Sequence, residues 1–216
     1  MKLEESKDIR SYAPREIEER SFAIITELLG DRMLDPDNEA VIKRVIHTTA
    51  DFDYADSLYF SPGAVQKAVR ELRAGADIVC DTNMAAAGIN KGVLQKLGGR
   101  VHCFMADADV AEEAARRGTT RAAVSMEKAA RLKGAQIFAI GNAPTALLRL
   151  RELMDAGEVS PLLVIGVPVG FVNVTQAKEL FVEAGVPAIV ARGRKGGSNV
   201  AAAVCNALLY QAMPRD

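Results

Sequence analysis

The chain has only two histidines, His47 and His102, so few side chains can exchange a proton near neutral pH. His47 is the better placed. It closes the helical stretch 39–46, and the negative end of a helix dipole favours a positive charge there, hence a proton donor. Asp51 and Asp53 follow closely and favour the same charged form. The competing reading of His47 is a plain C-terminal cap. His102 falls inside a predicted strand and reads as a packed or surface strand residue.

A second chemistry is anion capture. The run Arg192-Gly193-Arg194-Lys195-Gly196-Gly197-Ser198-Asn199 precedes a helical stretch at 200–209. Gly193, Gly196 and Gly197 let backbone N–H groups approach a ligand, the helix start adds donors and positive dipole, and Arg194 and Lys195 add charge. A tight turn with Ser198 or Asn199 as helix cap explains the same residues. No Gly-Lys-Ser, Gly-Lys-Thr or Gly-x-Gly-x-x-Gly pattern is present here, so no nucleotide is specified. Further candidates are Ser21, polar on a helical stripe with Ile17, Ile24 and Leu28, and Thr82 in Asp81-Thr82-Asn83-Met84. A bond to the preceding helical turn explains Ser21 equally, and capping of the next helix explains Asp81 and Thr82. Arg121 opens a helix, where a cation opposes the dipole, so a bound anion would compensate it. Asn142 and Thr145 are ordinary cap residues whose loop position makes them candidates.

These residues need a frame. Short apolar runs at 77–81, 101–105, 136–140, 162–167 and 188–192 alternate with stretches of helical spacing. That rhythm predicts a three-layer α/β/α fold around a mostly parallel sheet of about five to six strands. Ser61-Pro62 and Asn142 with Pro144 open helices, and Gly75, Gly134 and Gly185 stand where helices should stop. Residues 14–29 and 36–46 read as additional N-terminal helices, and 58–60 as an edge strand. In open sheets of this kind ligands bind beyond the carboxyl ends of the strands. The loops after Asp81, Met105, Ile140, Val167 and Arg192 are therefore where chemistry is expected.

Composition narrows the partners. With 216 residues, 49% apolar and 25% charged, a single domain with a real core is expected rather than a disordered or fibrous chain. Lys and Arg total 27 against 28 Asp and Glu, and the net charge of −1 offers no global field for nucleic acid or an anionic membrane. Cys80, Cys103 and Cys205 are an odd, scattered set, read as reduced core thiols rather than a disulfide framework or metal ligands. The charged first residues and the absence of a bilayer-length apolar run lead to an expectation of a cytoplasmic protein.

Several segments carry a resemblance when read in order: Glu19-Arg20-Ser21-Phe22-Ala23-Ile24-Ile25, Arg44-Val45-Ile46-His47, Thr119-Thr120-Arg121, Gly141-Asn142-Ala143-Pro144-Thr145-Ala146-Leu147, Gly166-Val167-Pro168-Val169-Gly170-Phe171-Val172, and Gly193-Arg194-Lys195-Gly196-Gly197-Ser198. Together they resemble the precorrin-8X methylmutase family and its cobalt-precorrin-8 counterpart, enzymes of corrin-ring biosynthesis. The resemblance runs from about Tyr12 to about Leu209. It implies a homodimer of α/β fold that moves a methyl group from C11 to C12 on ring C, giving cobyrinate or hydrogenobyrinate. It implies no cofactor, any cobalt arriving inside the substrate. His47 matches the family's proton-donating histidine, Arg121 its substrate-contacting arginine, and Gly193–Ser198 its glycine-rich loop.

The bottom-up reading fits these implications. A wide, flat ring with acetate and propionate arms needs carboxylate receptors at the edge of a broad cleft, a role suited to Arg15, Arg121, Arg194, Lys195 and the N–H groups after Gly196. Ser21, Thr82 and Asn142 complete the expected contacts. After His47 the chain reads Thr48-Thr49-Ala50-Asp51-Phe52-Asp53, a departure from the Ala-Cys-Gly type of stretch associated with the metal-free branch, which favours the cobalt form. The alternatives from other classes are a nucleotide-dependent α/β enzyme and a non-catalytic corrinoid carrier.

Overall fold

The computed structural model describes residues 12–214, the side chains of Pro14 and Arg15 excepted. Helix α1 (Pro14–Leu29) begins with proline in its first turn, where a missing N–H costs nothing, and ends at Gly30. It is followed by α2 (Glu39–Thr49), the single turn α3 (Tyr54–Ser57) and strand β1 (Leu58–Phe60). Then come α4 (Ala64–Arg73), β2 (Asp77–Cys80), α5 (Asn83–Gly88), α6 (Lys91–Lys96), β3 (Val101–His102), α7 (Ala108–Arg117) and α8 (Arg121–Ala130). The chain continues through β4 (Gln136–Ile140), α9 (Pro144–Asp155), β5 (Leu163–Gly166), α10 (Val174–Val182), β6 (Ala188–Ala191) and α11 (Ser198–Ala212). It divides into two compact units between Met33 and Leu34, so α1 belongs to the first and every other element to the second.

The sheet has six strands in the order β1-β6-β5-β4-β2-β3. All neighbours are parallel except β1, which pairs antiparallel with β6 at one edge. Ile78 stands opposite Ile137, Ile137 opposite Leu163, and Ile165 opposite Ile189, so the central strands are continuous apolar runs buried on both faces. On one face Phe138, Ile140, Val164 and Val190 pack with Met126, Leu147, Leu150 and Phe181 of α8, α9 and α10. Each such side chain contributes about 1.5–3 kcal/mol on full burial. On the other, α11 packs against β4 and β5 and against α2, α4 and α5. The expected mostly parallel α/β architecture is present.

Three boundaries differ from expectation for local reasons. Asp35 accepts from the Asp37 N–H (3.0 Å) and the Asn38 Nδ2 (3.0 Å), a side-chain turn that delays α2 from Pro36 to Glu39. At its other end α2 passes His47 and runs to Thr49, with the Thr48 and Thr49 hydroxyls donating to Arg44 O (3.0 Å) and Val45 O (2.8 Å). It stops at Ala50, which is left-handed at φ 52° and donates to Ile46 O (2.7 Å). The third strand is shorter than predicted. As an edge strand it pairs only with β2, and 103–105 leave the ladder.

Candidate active site

The loop from Arg192 to Gly197 joins β6 to α11 and lies against the end of β5. A Cβ at Gly196 would overlap the carbonyl oxygens of Val167 and Pro168, so glycine is required for this approach. The Gly197 N–H donates to Val167 O (2.9 Å) and the Gly170 N–H to Arg194 O (3.2 Å). At the end of β4, a Cβ on Gly141 would sit 2.8 Å from Ser198 Cα, which brings the start of α11 onto that strand. Thr82 accepts from the Ala85 N–H (3.1 Å) as the cap of α5, and its hydroxyl lies 2.8 Å from Ser198 Oγ. Thr82 and Ser198 are thus joined across β2, β4 and α11. Neither Ser198 nor Asn199 caps α11. The cap position is Gly197, with no side-chain hydrogen bond closing the first turn.

His47 is exposed in the last turn of α2. The turn after it presents Asp51 and Asp53, and Lys195 Nζ lies 2.6 Å from Asp51 Oδ2 and 2.6 Å from Asp53 Oδ2. The Lys195 hydrogen bond holds the Asp51 carboxyl below its ordinary value, and the two carboxylates raise the Lys195 ammonium. Lys195 is thus paired with the chain's own carboxylates while its side chain stays half-exposed. The pair ties the segment after His47 to the glycine-rich loop.

Asp81 is fully buried at the end of β2. It does not cap the next helix. Its Oδ1 accepts from the Gly141 N–H (2.8 Å), and its Oδ2 from those of Asn142 (2.8 Å) and Ala143 (2.7 Å). Burial raises this carboxyl above its ordinary value, although the three amides pull the other way. The amide nest before α9 is therefore filled from inside the chain, while the Asn142 side chain stays exposed. Thr120 caps α8 and donates to Thr145 Oγ1 (2.9 Å), bringing the starts of α8 and α9 together with Arg121 exposed beside them. Arg194 is exposed as well.

Ser21 belongs to the first unit, where its hydroxyl donates to Ile17 O (2.7 Å), the local bond anticipated for a helical serine. Arg15 lies in the same helix, and its side chain is outside the described residues. His102 Nε2 lies 2.8 Å from Asp77 Oδ2 and ties β3 to β2, as suits a strand residue. The three cysteines are free, and burial pushes the thiols of Cys80 and Cys205 up, the latter to about 12.

Sequence reasoning missed Lys178. It lies on α10 among the buried Val174, Ala177 and Phe181, is itself fully buried, and donates from Nζ to Gly193 O (2.9 Å) and Lys195 O (2.8 Å). Desolvation lowers its pKa to about 8. The signal was present as a lone lysine on the apolar stripe of an amphipathic helix.

The chain has clear relatives. Residues 16–211 match the family model described as precorrin-8X methylmutase. The cobalt-precorrin-8 methylmutase of Priestia megaterium is 46% identical, the match covering 90% of this chain and 87% of that one. The enzyme of the same description from Salmonella typhimurium is 45% identical over 91% of this chain and 95% of its own. Among solved structures, the precorrin-8X methylmutase of Thermus thermophilus superposes with a TM-score of 0.83 at 42% identity, covering 92% of this chain and 98% of that one.

Proposed function

This chain belongs to the precorrin-8X methylmutase family, and from that premise we propose that it isomerises cobalt-precorrin-8 to cobyrinate by moving the ring C methyl group from C11 to C12. The observation that carries this reading is the Lys195 pair with Asp51 and Asp53, which ties the end of the His47 helix to the glycine-rich loop at the sheet's carboxyl edge. One proton donor and one set of anion receptors therefore share one structural junction.

In this reading His47 protonates the ring C region and makes the sigmatropic shift favourable, while the protein holds the macrocycle in a reactive conformation. Arg121, Arg194 and the N–H groups of Ser198 and Asn199 at the start of α11 receive the carboxylate arms. The Thr82 and Ser198 hydroxyls add polar contacts, as does Asn142. Met84 in the first turn of α5 and Val169, Phe171 and Val172 in the loop after β5 are exposed apolar side chains, a surface suited to the face of a flat ring. The rearrangement is internal, so the reading requires no cofactor, and cobalt enters as part of the substrate. The Thr48–Asp53 stretch and the names of the two relatives favour the cobalt form. The internal filling of the β4–α9 nest by Asp81 speaks against a phosphate of a nucleotide binding there.

We further read the protein as a cytoplasmic homodimer whose two subunits widen the cleft, without nucleic acid or membrane partners. No described helix is long and apolar enough to cross a membrane. Mixing the purified protein with a large excess of cobalt-precorrin-8 and following the visible spectrum tests the function. A corrin chromophore that grows through many equivalents is expected. A shift that stops at one equivalent would instead identify a carrier.

A further inference from the structure

A buried ammonium beside a ligand loop calls for a role. Lys178 has no exposed surface, and its Nζ donates to the carbonyls of Gly193 and Lys195. These two carbonyls flank Arg194. Because the C=O and N–H of a trans peptide point in opposite directions, drawing both carbonyls towards α10 turns the N–H groups of Arg194 and Gly196 away from it. The same anchorage fixes the main chain of Lys195, whose side chain reaches Asp51 and Asp53. A continuous set of contacts thus runs from α10 through the glycine-rich loop to the turn that follows His47.

We propose that Lys178 is a positioning residue for the methyl shift: its ammonium folds the Gly193–Lys195 main chain so that the Arg194 and Gly196 N–H groups face away from α10 and Lys195 latches the segment behind His47. The inference rests on the methylmutase reading for its catalytic consequence, but its structural half stands independently. Glu179, whose charge favours the Lys178 ammonium, is itself engaged by Arg192 at 2.8 Å, so the two loop carbonyls are the direct partners of Lys178.

The test uses the full-length Lys178→Met variant, with Lys178→Gln standing in if the former does not fold. Amide hydrogen exchange at Asp51–Asp53 and Gly193–Ser198 is expected to quicken about tenfold or more, with β4 and β5 unchanged. Unchanged exchange at Asp51–Asp53 would overturn the inference whether or not the wild type turns over cobalt-precorrin-8. In the kinetic arm, KM is expected to rise about tenfold, with Lys178→Arg recovering most of the loss. Adding Lys195→Met to Lys178→Met should change KM little further, because the latch is already lost. A variant that loses only kcat, or fully additive effects in the double variant, would reduce Lys178 to a support of the core. Absence of wild-type turnover would count against the functional reading and leave the exchange result to decide the positioning role.

Discussion

His47 stands exposed in the last turn of a helix, where a bound ring can reach it. His47→Ala should therefore lower turnover by a factor of about 10²–10⁴ while the dissociation constant for the corrin product changes only a few-fold. Steady-state rates alongside product titration check this, and full activity in the variant would remove His47 as the acid. At this scale the sequence was partly legible. A histidine before two aspartates singled out this segment, but did not reveal the partner of those aspartates. Asp51 lies 144 positions from Lys195, and such an ion pair has no local pattern. Lys178 was hidden differently: a lysine in a helix is ordinarily read as solvent-exposed, and only its apolar neighbours marked it as buried.

Elements hold these side chains in place, and two backbone positions make that testable. Gly196→Ala would drive a Cβ into the Val167 and Pro168 carbonyls, so the loop must move away from β5. Thermal stability of this variant should change modestly, while affinity for the corrin product should drop by about tenfold or more, since a displacement of about 1 Å suffices to spoil a positioned site. Ala50 ends α2 in the left-handed region at φ 52°. Ala50→Gly relieves that strain, and chemical denaturation should show a gain of up to about 1 kcal/mol. Strand β4 was predicted with its observed bounds because it is central, apolar and cleanly flanked. Edge strand β3 was overextended because apolar character alone does not reveal that it has one neighbour. The start of α2 was obscured by Pro36, a common helix opener that here sits inside a turn organised by Asp35.

For the whole molecule, pH separates structural charges from catalytic ones. Lys195 lowers the Asp51 pKa, Arg117 that of Glu127, and Arg192 that of Glu179. The stability from these pairs is present above the ordinary carboxylate range and is lost as the pH falls through the lowered values. Lys178 acts in the opposite sense. Its pKa of about 8 in the folded protein lies below the ordinary 10.5, so between those values the unfolded chain binds the extra proton and stability rises with pH. Subtracting the pH–stability curve of Lys178→Met from that of the wild type isolates this contribution, which should climb between about pH 8 and 10.5. A flat difference would mean that the ammonium carries no desolvation cost. The fold that sets these values was broadly readable from the βα rhythm, whereas the site was readable only as separate loops until the sheet order brought them to one edge. A crystal structure with the corrin product bound tests the account most directly. It predicts ring C within about 2.6–3.2 Å of the His47 imidazole, directly or through one water, with carboxylate arms on Arg194, Arg121 and the amides of Ser198 and Asn199. A macrocycle seated away from His47 and from the glycine-rich loop would contradict it.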